Sequence, residues 1–215
     1  MILEKLVGYY RRQRWNWRWR LRDFQPPWLK DGPRAFVVTG FDNGWLAPGM
    51  TVLEIGCGPG QTTAWLAARG LHAQGIDFSP SAIDRARRLH VDQPRLAFAV
   101  VDVCAANTLT ATFDVLIDTG CFQAIPKLLH QRYKANLLRW SRPGSRFVVP
   151  VNVRDAAFDE QVAQVRSLFC PPFEFEHCEE TPSSLGRKPK PVIHLIRRHP
   201  ASGENRRRVR YGAPS

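Results

Sequence analysis

Residues 52–60 read Val-Leu-Glu-Ile-Gly-Cys-Gly-Pro-Gly, and few stretches limit a chain's fold as much. Residues 51–55 are β-branched and apolar, as a buried parallel strand requires, and they stop at three glycines in five residues. Residues 61–69 then carry Trp65, Leu66 and Ala68 at helical positions. Strand, glycine turn and helix in that order make the first half of a Rossmann-type βαβ unit, in which the missing Cβ atoms let backbone turn sharply and approach a ligand.

The spacing narrows the ligand. Gly56, Gly58 and Gly60 form G-x-G-x-G and not the G-x-G-x-x-G of dinucleotide sites, and Glu54 stands two residues upstream. A carboxylate there repels a pyrophosphate and suits a cationic ligand. A second strand, 73–76, ends at Asp77, about twenty residues beyond the turn, where a carboxylate can take both ribose hydroxyls. Phe78 follows and can cover one face of a flat base, and Ser79-Pro80 supplies an N-cap and a first-position proline for a helix at 81–90. The third strand, 96–101, ends at Asp102 and Val103, where an aspartate either accepts from a base or caps the next turn.

These pieces resemble the class I S-adenosylmethionine-dependent methyltransferases over residues 26–198. The marks are Leu53-Glu54-Ile55-Gly56-Cys57-Gly58-Pro59-Gly60, Gly75-Ile76-Asp77-Phe78-Ser79-Pro80-Ser81-Ala82-Ile83 and Val101-Asp102. Residues 113–125, Phe-Asp-Val-Leu-Ile-Asp-Thr-Gly-Cys-Phe-Gln-Ala-Ile, look like the thiopurine and thiol branch of that family. The resemblance implies an α/β fold, a Rossmann-like doubly wound sheet of seven strands, mostly parallel with an antiparallel C-terminal hairpin. It implies S-adenosylmethionine as cofactor, whose sulfonium and amino group are the cations that Glu54 suits. Gly56, Cys57, Gly58 and Gly60 would line it, Asp77 would take the ribose, Phe78, Asp102 and Val103 the adenine, and Asp118 the amino end. Trp28, after Pro26-Pro27, would belong to the lid.

Asp118 and Gln123 are the candidates at the acceptor side. Where the resembling branch often carries histidine after the phenylalanine of the fourth-strand loop, this chain has Gln123, whose amide cannot titrate and can only orient an acceptor. That points to a reaction led by proximity on a thiol or phenol that ionises by itself. No Asn-Pro-Pro-Tyr follows the fourth strand, which argues against methylation of base amino groups.

Charge organises the rest. The net +12 divides into about +6 in residues 1–30, about +3 at Arg187, Lys188 and Lys190, about +5 from Arg197 onward and about −2 in residues 31–186. A domain that gripped a polynucleotide would carry the excess on its own face. A nucleic-acid methyltransferase using the basic arms is therefore the second reading, and a non-catalytic cofactor-binding module the third. The division expected is a basic Trp/Arg-rich arm at 1–25, a methyltransferase domain at 26–198 and a basic disordered tail at 199–215. In the arm, Ile2, Leu3, Leu6, Val7 and Tyr10 are spaced as a helix face, whereas Trp15, Trp17, Trp19 and Leu21 alternate with polar residues against a continuing helix. Such an arm suits an anionic membrane surface, an acidic partner or stacking on bases, or it packs its indoles over the domain and leaves its arginines wet. Five cysteines without metal-ligand spacing predict neither a disulfide framework nor a metal site, and the lack of a signal-peptide pattern predicts a cytoplasmic protein.

Overall fold

The computed structural model describes residues 2–21, 24, 26, 29, 32–106, 109–150, 158–181 and 190–199. Trp28, residues 151–157, Arg187 and Lys188, and the tail beyond residue 199 lie outside them. Helices α1 (Ile2–Arg20) and α2 (Ala35–Asp42) precede β1 (Thr51–Ile55), α3 (Gln61–Ala68), β2 (His72–Asp77), α4 (Pro80–Leu89), β3 (Leu96–Val100) and β4 (Phe113–Asp118). Two short 3₁₀ turns lead to α5 (His130–Trp140), β5 (Ser141–Pro150), α6 (Phe158–Phe169), β6 (Phe173–Thr181) and β7 (Lys190–Arg197).

The sheet runs β3-β2-β1-β4-β5-β7-β6. β1 to β5 are parallel and β7 pairs antiparallel with both β5 and β6, so the expected seven-stranded sheet with a closing hairpin is found. Strand order reverses between β1 and β4, and the loops after β1, β2, β3 and β4 gather at that one edge, where open α/β sheets take their ligands.

Alternation along the strands builds a core on each face. Val52, Val115, Ile117 and Val148 meet Phe36 and Val37 of α2 and Leu66 and Ala67 of α3. Leu53, Ile55, Leu116, Phe147 and Val149 meet Tyr133, Leu137 and Trp140 of α5 and Val165 and Phe169 of α6. Leu129, Tyr133, Leu137 and Trp140, which recur at helical spacing, are buried here. The same periodicity that makes the helix makes its core stripe.

One sequence expectation is corrected. Tryptophan alternation does not end the first helix: α1 continues to Arg20. At a helical 100° per residue, Trp15 and Trp19 fall four apart on the inward side and Trp17 turns outward, so the period-two pattern spans two faces. Pro143-Gly144 lies within a strand, although both residues favour turns. β5 starts at Ser141, and its register against β4 shifts between Phe113 and Val115. Pro143 has no N–H for the ladder; nearby, Ser145 Oγ accepts from the Arg142 N–H (2.9 Å) and donates to the Phe113 carbonyl (2.6 Å).

Candidate active site

The turn after β1 is held from both sides. The N–H groups of Gly56 and Cys57 both donate to the Ile76 carbonyl (2.8 and 3.0 Å), and the Gly58 N–H donates to Asp77 Oδ2 (3.1 Å). The other oxygen of Asp77 accepts from the Ser79 N–H (2.9 Å), so this carboxylate also fixes the entry to α4, where Ser79 caps the helix ahead of Pro80. Burial pushes the Asp77 carboxyl up to about 6, against the pull of those two N–H donors and Arg11. Gly56 (φ 69°) tolerates no side chain, because a Cβ would lie 2.6 Å from that of Cys121. The turn is therefore packed against the loop that follows β4.

Glu54 lies beneath the turn, 2% exposed. Its carboxylate accepts from the hydroxyls of Thr63 on α3 and Thr119 after β4, the latter at 3.0 Å. Burial raises its carboxyl to about 7 despite these donors and the charge of Arg34. A raised carboxyl pKa binds its proton more readily in the folded protein, so its stabilising effect is complete below about pH 4.5 and is lost as pH rises through about 7. Relative to Glu54→Gln, the wild type is expected to lose roughly 3 kcal/mol of stability across that window. Urea unfolding of both proteins at several pH values measures the difference, and parallel profiles would show that Glu54 stays ionised. The comparison must be between the two proteins, because His194, which burial lowers to about 3, gives the opposite slope.

Asp118, at the end of β4, is fully buried. It accepts from the N–H groups of Gly120, Cys121 and Phe122 (2.7, 2.7 and 2.8 Å) and from the Tyr133 hydroxyl (2.7 Å). Its carboxylate thus organises the loop carrying Gln123, whose Nε2 donates to the Pro150 carbonyl (2.9 Å) and ties the ends of β4 and β5 together. His130 on α5 lies 4.7 Å ring to ring from Phe122, bonded to the Ile125 carbonyl, and burial lowers its pKa.

The arm supplies what the sequence did not reveal. Asp102 receives Arg11 Nη2 (2.6 Å) and Arg12 Nη1 (2.9 Å), and its Oδ1 also accepts from the Cys104 N–H. Burial pushes the Asp102 carboxyl up, but Arg11, the Cys104 N–H and Arg12 outweigh it and hold it below the usual range. The Arg11 guanidinium also lies 4.7 Å over the Phe78 ring. Trp19, 8% exposed, stands over Gly58, and Asn16 Oδ1 accepts from the Ser79 hydroxyl (2.9 Å). The expectation of wet arginines over packed indoles is reversed at two positions: Arg11 is buried and Trp17 is 62% exposed. Only about 10 Å³ remains open between Gly56, Asp77, Phe78, Val103 and Cys121.

Of the residues singled out on the sequence, the structure gathers Gly56, Cys57, Gly58, Gly60, Asp77, Phe78, Asp102 and Val103 along one sheet edge. Val103 is buried and its carbonyl accepts from Asn136. Cys57 is buried under the turn, its thiol pushed well up by burial. Trp28 lies outside the described residues. Arg11, Trp19, Thr63, Thr119 and Tyr133 were missed. Arg11 meets Asp102 across 91 residues, and no local pattern marks which of many arginines turns inward. Away from this edge, Glu176, His177 and His194 come within ligand distance of one another, but Arg146 pairs with Glu176 and reaches His194 Nδ1 (3.3 Å), so a guanidinium already fills the cation's place.

A glycine turn after β1, carboxylates ending β2 and β3 and an antiparallel β7 between β5 and β6 define the Rossmann-like methyltransferase fold. Residues 52–144 match the family model described as a methyltransferase domain. Over 129 residues the chain is 29% identical to 2-heptyl-1-hydroxyquinolin-4(1H)-one methyltransferase of Mycobacteroides abscessus, covering 59% of this chain and 56% of that protein. It is 34% identical over 105 residues to 2-methyl-6-phytyl-1,4-hydroquinone methyltransferase of Synechocystis, covering 48% of this chain and 32% of that one. The chain thus spans little more than half of the first relative and a third of the second. The N-methyltransferase NodS of Bradyrhizobium japonicum, solved with S-adenosyl-L-homocysteine, superposes with a TM-score of 0.67 at 19% identity, covering 87% of this chain and 98% of that one. The matched residues run from β1 to the start of β5 and include the glycine turn, Asp77, Asp102 and Asp118.

The edge carries the kinds of group that S-adenosylmethionine would need. Arg11 presents a flat N–H donor to the Phe78 ring and the Asp102 carboxylate, the two groups that the sequence reading gives to adenine. No helix among the described residues is long and apolar enough to cross a membrane.

Proposed function

We propose that the protein transfers a methyl group from S-adenosylmethionine to a small molecule bearing an acidic hydroxyl or thiol. The observation that carries this reading is the meeting of the glycine turn, Asp77, Phe78 and Asp102 at one sheet edge. The hydroxylated rings named for the two relatives support an acceptor of the same kind. When bound, S-adenosylmethionine supplies the methyl group as a sulfonium electrophile. Asp77 would hold the ribose hydroxyls, Asp102 and Phe78 the adenine, and the Cβ-free turn would let the cofactor approach the backbone. Glu54, enclosed by Thr63 and Thr119, acts as a positioning residue through Thr119 and by its charge. Asp118 holds the loop at the acceptor side, and Gln123 orients the acceptor without exchanging a proton. Catalysis then rests on alignment and exclusion of water, with the acceptor ionised before it binds.

Calorimetry with S-adenosylhomocysteine is expected to show binding, weakened by roughly 1.5 to 3 kcal/mol in Asp77→Ala. Thermal unfolding of the same variant separates lost affinity from a lost turn. Turnover of hydroxylated aromatics and thiols, followed by mass spectrometry, should show a pH midpoint that tracks each acceptor's own pKa. Absence of binding would remove the cofactor assignment. Binding without turnover of any acceptor would favour the non-catalytic module.

A further inference from the structure

Helix α1 is amphipathic the wrong way round. Its inward side carries Gly8, Arg11, Arg12 and Asn16 with the indoles of Trp15 and Trp19, and it meets the domain through ion pairs and hydrogen bonds. Its outward side carries Leu3, Leu6, Tyr10 and Trp17, which are 65, 49, 68 and 62% exposed. Their spacings of three, four and seven residues place all four within about 60° of helix circumference. Tyr9 is exposed at the margin, and Leu21 is exposed just past the end. Elsewhere among the described residues, the large exposed apolar side chains Val38, Leu89, Val91, Val100 and Leu128 are scattered over five separate elements or loops. A stripe so concentrated is costly in water and marks a contact.

The chemistry around the stripe selects what it contacts. Arg14 and Arg20 are exposed on its flanks with Gln13, and no acid lies on the outward side. Residues 2–20 hold six basic side chains and one acidic. A second copy would press two such faces together, like charge against like, without an acid on either outward face to relieve them. Bases of a nucleic acid would engage the aromatic rings but leave Leu3 and Leu6 without a role. An anionic phospholipid surface satisfies every group: leucines enter the acyl boundary, Trp17 and Tyr10 sit at the headgroup level, and the arginines meet phosphates. We propose that the outward face of α1, formed by Leu3, Leu6, Tyr10 and Trp17 with Arg14 and Arg20, docks the protein on an anionic lipid bilayer. This inference stands independently of the methyl-transfer reading.

The test uses the full chain with vesicles of phosphatidylcholine alone and of equal parts phosphatidylcholine and phosphatidylglycerol. Co-sedimentation should show binding to the anionic vesicles that weakens as salt rises. Changing Leu3, Leu6, Tyr10 and Trp17 together to serine should reduce the partition coefficient about tenfold or more, while the melting temperature, set by the inward face, stays as it was. Brominated lipids should quench tryptophan emission in the wild type, and Trp17→Phe should abolish most of that quenching with binding retained, a measurement that does not depend on the serine variant's folding. Undiminished vesicle binding by the serine variant would overturn the proposal. So would stripe-dependent self-association seen by light scattering, or stripe-dependent binding of an RNA oligonucleotide with none to either vesicle.

Discussion

Asp118→Ala is expected to lower the stability of the protein by about 4 kcal/mol. The carboxylate is fully buried and accepts three backbone N–H bonds and the Tyr133 hydroxyl, and Tyr133 is itself without exposure. Truncation leaves those donors with no acceptor in a site that water does not reach, and each orphaned group costs roughly 1 to 3 kcal/mol, less whatever the loop recovers by relaxing. Asp118→Asn should lie between, since one oxygen remains as an acceptor while the new amide faces donors. Denaturant unfolding measures the loss, and native-state hydrogen exchange should quicken at Gly120, Cys121 and Phe122 in particular. A loss under 1 kcal/mol would mean that the loop holds its shape without the carboxylate.

Gly60→Ala should cost about 3 kcal/mol and lower the melting temperature by roughly 6 to 12 °C. Gly60 precedes α3 with φ 78°, a left-handed backbone that penalises any Cβ, and that Cβ would lie 2.4 Å from Cζ of Phe98 on β3. The ring is confined by the turn on one side and α4 on the other, with the Ala86 methyl 3.2 Å from the same point. Gly60→Ala combined with Phe98→Leu should recover the packing part and leave the backbone part. If the double variant recovers nothing, strain at φ accounts for the whole cost. Gly144, also at positive φ but with open space around its missing Cβ, provides the control in which only backbone strain is paid.

What the sequence disclosed and what it hid divide along chain separation. β1, its glycine turn, Asp77 at the end of β2 and Ser79 capping α4 are set by neighbours within a few residues, and they are where the pattern puts them. Parallel pairing of β1 with β2 and β4 follows from buried runs with helical crossovers. Asp118 was legible in part: an aspartate two residues before a glycine is an Asx-turn signal, and it forms that turn, but its bond to Tyr133 depends on how α5 packs. The alternating tryptophans misled because alternation counts side chains without asking which of them can be satisfied inward. α1 is placed by Arg11 and Arg12 on Asp102 and by Asn16 on Ser79, polar bonds between segments more than sixty residues apart, to which hydrophobic periodicity is blind.

Arg11 makes α1 a rival for the site it covers. A ligand that needs the Asp102 carboxylate and the Phe78 ring must first evict a guanidinium that holds both. Occupancy is then an exchange of a guanidinium for a neutral ring over the same acidic seat, and observed affinity is the intrinsic affinity scaled by the fraction of molecules in which Arg11 has left. Steadfastness of the empty protein and readiness to load are set against each other at this one side chain: a shorter residue at position 11 should make the empty protein weaker and its grip on an adenosine-bearing ligand tighter.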